Sequence, residues 1–182
     1  VGQGPLLAEL DLQLTSRCNL DCGFCSVDAN APGARGRLPM ARLERILDEA
    51  CGLGLRELQL TGGEPTLSPY LEGVIRHARA LGIRTRLITN GTRLDRGRLE
   101  ELWEAGLRSI AVSVDGLAST HDTMRRRPLA WQRAMATVLH AVDVGFTTRI
   151  SAVAFRSNLH ELSQLAVLAA QREVEVFSIA LG

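Results

Sequence analysis

The stretch Leu10-Asp11-Leu12-Gln13-Leu14-Thr15-Ser16-Arg17-Cys18-Asn19-Leu20-Asp21-Cys22-Gly23-Phe24-Cys25 joins a strand-like segment, residues 10–15, to three cysteines spaced C-x3-C-x2-C. Three thiolates on one tight loop can hold three corners of a [4Fe–4S] cube. Such clusters normally take four cysteines, so a fourth iron here would be open to a ligand from outside the protein. Zinc is the competing reading of closely spaced cysteines. The three-plus-two gap is unusual for a zinc knuckle, and no histidine or fourth cysteine follows nearby.

Outward from this stretch, strand-like and helix-like segments alternate. A helix over 40–51 places Leu43, Ile46, Leu47 and Ala50 on one face. Gly52 and Gly54 supply its stop, and a second strand covers 55–60. Ser68 and Pro69 read as N-cap and first-turn proline of the next helix, with Leu71, Val74, Ile75 and Ala78 inward and Gly82 at its end. A third strand covers 83–89. Asp95 caps a helix carrying Leu99, Leu102 and Trp103, which stops at Gly106. A fourth strand at 108–114 precedes a longer helix with Trp131, Met135, Val138, Leu139 and Val142, closed by Gly145. A fifth strand covers 147–155. Asn158 and Glu161 have capping-box spacing ahead of Leu162, Leu165 and Leu168, and a sixth strand covers 173–180.

Six strands and five helices in strict order imply a parallel sheet with right-handed crossovers. An open doubly wound sheet, a closed eight-unit barrel and an incomplete barrel all fit that order, the closed barrel least, since it typically needs ~250 residues. The chain has 182 residues, 46% of them hydrophobic, which suits one sizeable domain, residues 1–182. A net charge of +1 argues against a dedicated nucleic-acid surface. No stretch approaches the ~20 apolar residues of a membrane span, and residues 1–7 lack the regions of a signal peptide. Three of the four cysteines share one loop, so they are not a secreted disulfide framework, and a reducing cytoplasm fits. The missing initiator Met and an end just after a strand read as a core cut from a longer chain. Residues 26–38 are irregular and directly follow Cys25, so they are expected to drape over the cluster.

In parallel α/β folds, ligands bind at the carboxyl ends of the strands. The polar oddities of this chain fall there: Thr15, Ser16 and the cysteine loop after strand one; Thr61-Gly62-Gly63-Glu64-Pro65 after strand two; Thr89-Asn90-Gly91-Thr92 after strand three; Ser113, Asp115 and Gly116 after strand four. Any one could be an ordinary turn. Four at the same end of one sheet point to a site.

On Cys18-x3-Cys22-x2-Cys25, Gly62-Gly63-Glu64-Pro65, Thr89-Asn90-Gly91 and Ser113-Val114-Asp115-Gly116, the chain resembles the radical S-adenosylmethionine (SAM) enzymes over residues 10–180. The resemblance implies a partial (β/α)6 barrel of parallel strands, with Cys18, Cys22 and Cys25 on three irons of a [4Fe–4S] cluster and SAM chelating the fourth. By the same resemblance, Phe24 would lie near the adenine and Gly62, Gly63 and Glu64 would line the SAM amino group. Thr89, Asn90, Ser113 and Asp115 would sit near the methionine carboxylate and the ribose. The implied chemistry is reductive SAM cleavage to a 5′-deoxyadenosyl radical that takes a hydrogen from a peptide or small metabolite. A low-potential electron donor of flavodoxin or ferredoxin type is the implied partner. The motifs look most like the branch that often carries a C-terminal, auxiliary-cluster (SPASM-type) extension, for which this chain has only Cys51 to spare.

Other residues read more plainly. Cys51 is a small hydrophobe on a helix face. His121 and Asp122 read as loop, with a catalytic role as the alternative; His77, His140 and His160 as surface or core; Trp103 and Trp131 as core. Arg125, Arg126 and Arg127 read as a solvated loop, with a phosphate or carboxylate contact as the alternative, and the direction of Arg149 on strand five stays open. An iron–sulfur carrier would use the cysteine loop but would not need the Gly-Gly-Glu and Ser-Val-Asp-Gly turns. A zinc-stabilised domain would need neither.

Overall fold

The computed structural model describes residues 7–32 and 37–182. Six parallel strands form one sheet in the order of the sequence: β1 (Glu9–Gln13), β2 (Glu57–Thr61), β3 (Arg84–Thr89), β4 (Ser109–Ser113), β5 (Thr147–Ala154) and β6 (Val176–Leu181). A doubly wound sheet reverses its order part-way. This one never does, so the architecture is the partial barrel. The crossovers carry α1 (Met40–Gly52), α2 (Leu71–Ala80), α3 (Arg96–Ala105), α4 (Ala118–Arg125), α5 (Ala130–Val144) and α6 (Leu162–Gln171).

The two faces of the sheet differ in chemistry. Leu58, Leu60, Leu87, Ile110, Val112, Ile150 and Ala152 alternate onto one face and are buried with Leu47, Val74, Leu99, Leu102, Val138 and Leu165 of the helices. The opposite parity carries Asp11, Gln59, Arg86, Ser113, Arg149, Ser151 and Ser178. Strands covered on both faces by an apolar core read as continuous hydrophobic runs. These alternate instead, because their inner face is polar. That parity fixes Arg149 on the inner face. Among the described residues no helix is long and apolar enough to cross a membrane.

Four expectations are corrected. The β4–β5 crossover holds two helices, and His121 and Asp122 lie in α4 rather than in a loop. That helix contains one large apolar residue, Met124, so it leaves no amphipathic stripe to read. Ser68 and Pro69 do not open α2, which begins at Leu71; a 3-10 turn, Pro65–Leu67, comes first, with Glu64 as its cap. The Ser68 hydroxyl accepts from the Tyr70 N–H at 3.3 Å. Asn158 and Glu161 do not form a capping box, since the Asn158 side chain is spent on Asp115, Val153 and Phe155 and that of Glu161 on Leu117 and Thr120. Arg125 is not solvated: its side chain is 12% exposed and takes the alternative, a carboxylate contact, on Asp115. Asp95 does cap α3, accepting from the Arg98 N–H at 2.8 Å.

β6 is paired with β5 alone, and its second half is exposed, Ile179 at 52% and Leu181 at 91%. A strand held on one side opens more readily than one inside a ladder. In amide hydrogen exchange of this chain, we expect Val176–Leu181 to exchange well before Ser109–Ser113. Equal protection of the two strands would contradict that expectation.

Candidate active site at the strand ends

The carboxyl ends of the strands enclose a cavity of about 600 Å³. Cys18, Cys22, Cys25, Phe24, Gly62, Gly63, Thr89, Asn90 and Ser113 all line it, as do Ser26 and Val27 just after the cysteine loop. Residues 33–36 of the segment expected to drape over the cluster lie outside the described residues. Asn30 anchors the described part: its carboxamide oxygen accepts from Cys18 N–H at 2.9 Å, and its NH₂ donates to the Cys18 and Leu20 carbonyls.

Glycines 62 and 63 act first on the protein's own backbone. Gly62 has φ +132°, and a Cβ there would collide with the Thr15 carbonyl; one on Gly63 would collide with the Arg17 carbonyl. This close approach lets Gly63 N–H donate to Thr15 O and Glu64 N–H to Arg17 O, both at 2.8 Å. The turn after β2 is thereby clamped to the chain that leads into Cys18.

Glu64 and Asp115 sit behind the cavity wall, each with no exposed surface. Glu64 Oε1 accepts from Thr66 N–H (3.1 Å), Thr66 Oγ1 (2.8 Å) and Thr89 Oγ1 (2.8 Å), and Oε2 from Asn90 N–H (2.9 Å). Burial pushes its pKa up, and these donors oppose the shift. Asn90 in turn donates to Asn19 Oδ1 at 3.0 Å and approaches Cys18 Sγ at 3.8 Å. Asp115 Oδ1 accepts from Val153 N–H (2.9 Å) and Oδ2 from Arg125 Nε (2.6 Å). Buried Asn158 donates to the Asp115 and Val153 carbonyls and accepts from Phe155 N–H. Glu161 accepts from Leu117 N–H and Thr120 Oγ1, both at 2.7 Å, fixing the start of α4. The two carboxylates therefore brace the wall, and their oxygens are taken by protein donors.

Phe155 is a cavity residue that sequence reasoning missed, Arg125 makes the carboxylate contact that was the alternative reading of the basic run, and His121 packs behind the wall. The Arg125 guanidinium lies 5.1 Å from the Phe24 ring centre, and the Phe24 and Phe155 rings meet edge-on at 5.2 Å. His121 is buried, its Nδ1 accepting from Asp115 N–H at 3.1 Å. Its pKa falls to about 4, chiefly through burial and then through the Arg125 charge. The basic run after Ser113-Val114-Asp115-Gly116 was the one available signal for Arg125.

The cysteines are free thiols whose surroundings suit an iron–sulfur centre. None is in a disulfide. Each sulfur meets N–H groups: Cys18 that of Leu20 (3.4 Å), Cys25 that of Ala29 (3.3 Å), and Cys22 that of the Arg125 guanidinium (3.7 Å). Donors aimed at sulfur suit thiolates of an iron–sulfur centre. Burial pushes the Cys18 and Cys22 thiols up, so a metal bound there would have to displace their protons. Cys51 stands apart, packed against the core with its thiol directed to the Leu81 carbonyl.

Residues 12–169 match the family profile described as the Radical SAM superfamily. The chain belongs to this superfamily. It is 33% identical over 158 residues to the AdoMet-dependent heme synthase of Methanosarcina barkeri, covering 86% of this chain and 45% of that protein. To the PqqA peptide cyclase of Rhizobium meliloti it is 31% identical over 171 residues, 92% of this chain and 46% of that one. The structure of Streptococcus suis SuiB bound to S-adenosylmethionine superposes with a TM-score of 0.86 at 24% identity, covering 97% of this chain and 41% of SuiB, a likeness of fold. The chain thus spans less than half the length of these relatives. Both curated relatives are enzymes by name, and the superfamily implies an iron–sulfur cluster and SAM.

Two outcomes follow from the braced wall. Glu64→Gln leaves an NH₂ against a backbone or hydroxyl donor, so thermal or urea unfolding should show a loss of about 1–3 kcal/mol. Between pH 6.5 and about 4, an unfolded chain protonates His121 while the folded chain does not, so acidification favours unfolding. Stability should fall by up to about 3 kcal/mol across that window, and His121→Gln should flatten the slope.

Proposed function

We propose that this chain is the cluster- and SAM-binding core of an enzyme that cleaves SAM reductively. One observation carries the reading: three N–H-bonded cysteine sulfurs share a cavity with Gly62, Gly63, Thr89, Asn90 and Ser113 at the strand ends. Cys18, Cys22 and Cys25 hold three irons of a [4Fe–4S] cluster. Gly62 and Gly63 offer backbone to the SAM amino group, Thr89, Asn90 and Ser113 polar groups to its carboxylate and ribose, and Phe24 an aromatic face to its adenine. Glu64 and Asp115 act from behind, by holding these groups in place. A cluster held by Cys18, Cys22 and Cys25 would supply the electron for reductive cleavage of the SAM sulfonium C–S bond, the source of a 5′-deoxyadenosyl radical for hydrogen abstraction. Phe24, Phe155 and Val153 keep that part of the cavity apolar, which limits side reactions with water.

A peptide substrate is favoured over another small metabolite by the names of two relatives, the PqqA peptide cyclase and SuiB bound to its precursor peptide SuiA. A low-potential flavodoxin or ferredoxin would deliver the electron, and the reducing cytoplasm would preserve the cluster. The alternative, an iron–sulfur carrier, has no use for the polar wall around the cysteines.

Anaerobic reconstitution should load about four irons and four sulfides per chain, as for a cysteine-held cube. Cys18→Ala should abolish the brown chromophore and Cys51→Ala should leave it. SAM should change the electron paramagnetic resonance spectrum of the reduced protein. An unchanged spectrum at saturating SAM would refute direct binding to the cluster.

A further inference from the structure

Arg125 stands out because one guanidinium makes three contacts of different kinds. Its Nε donates to Asp115 Oδ2 at 2.6 Å, its Nη1 approaches Cys22 Sγ at 3.7 Å, and its plane faces the Phe24 ring, 5.1 Å from the centre. Asp115 has no exposed surface and is itself fixed by the Val153 N–H. The Arg125 side chain is 12% exposed. A buried ion pair of this kind adds little net stability, because desolvation offsets the attraction. Its yield here is positional, a fixed cation beside a cysteine sulfur. The other two sulfurs are served by neutral donors, Cys18 by Leu20 N–H and the Asn90 carboxamide, Cys25 by Ala29 N–H.

We propose that Arg125 is a positioning residue that raises the reduction potential of the cluster by donating a charge-assisted N–H to the Cys22 sulfur. The inference rests on the cluster reading above. Reduction adds one electron from the external low-potential donor and increases negative charge on the sulfurs. A cation and a hydrogen bond at Cys22 favour that more negative state, and iron–sulfur potentials respond to net charge and to hydrogen bonds on sulfur. Asp115 holds the guanidinium in register, and Phe24 and Phe155 limit the water that would screen it. Lysine could supply the charge but not two aligned donors on Asp115 and Cys22 at once. The site thus joins β4, through Asp115, to the cysteine loop by a single side chain from α4.

The test is a redox titration of the anaerobically reconstituted chain, followed by electron paramagnetic resonance, with circular dichroism to verify folding. Wild type, Arg125→Lys and Arg125→Met are compared. A fourth protein, Asp115→Asn with Arg125→Met, removes both charges and so avoids a lone buried carboxylate. We expect the midpoint to move to lower potential from wild type to Lys and further to Met, with the double variant low like Met. If the Met proteins fail to hold the cluster, the shift in Arg125→Lys decides. Equal midpoints in folded, four-iron proteins would overturn the role of Arg125 while leaving the cluster reading intact. A wild-type chain that takes up no four-iron cluster would overturn both.

Discussion

The buried carboxylate of Glu64 is the constraint on which the site depends. It is closed off from water and receives four hydrogen bonds, from Thr66, Thr89 and Asn90. A carboxylate in that position is tolerable only because the donors are in place. The same group therefore sets the turn after β2 and the turn after β3 together. Through Asn90 and Asn19 it reaches the cysteine loop, and through the Gly62-Gly63 clamp it is tied to Thr15 and Arg17. A change at this one point disturbs three strand ends.

The opposite side of the cavity is braced in the same manner. Asp115 is held by Val153, His121, Asn158 and Arg125, and the Arg125 side chain crosses to Cys22. Each cysteine sulfur is thereby set by a different part of the fold: Cys18 by the Asn90 turn, Cys22 by α4, Cys25 by its own loop at Ala29. Three cysteines on an eight-residue loop would otherwise move together. Separate attachments hold the three sulfurs apart from one another in the fold.

The division of the sheet into an apolar and a polar face follows from the same requirement. A barrel closed around its own core would bury both faces. Here the helices cover one face, and the inner face is left polar beneath the cavity. An open cavity at the strand ends is the consequence, as is the dependence of β6 on a single neighbour.

Sequence alone determined the alternation, five of the six helices, the placement of every strand to within a few residues, and the three cysteines that share the cavity. Those features are local: apolar spacing, Gly and Asp at helix ends, cysteines on one loop. Cavity-lining positions such as Gly62, Thr89 and Ser113 were legible too, because strand ends in a parallel sheet all face the same way. Tertiary structure decided the rest. It made α4 a helix without an apolar stripe, held at its start by Glu161 from 41 residues further along the chain. It turned Asn158 from a cap into a partner of Asp115, and placed Glu64 and Asp115 behind the wall rather than on it. It also drew Arg125 out of a basic run and onto Cys22. All four are hydrogen bonds or ion pairs between residues far apart in the chain or on different elements. Such pairs leave no periodicity in the sequence, because burial, and not spacing, selects the partner.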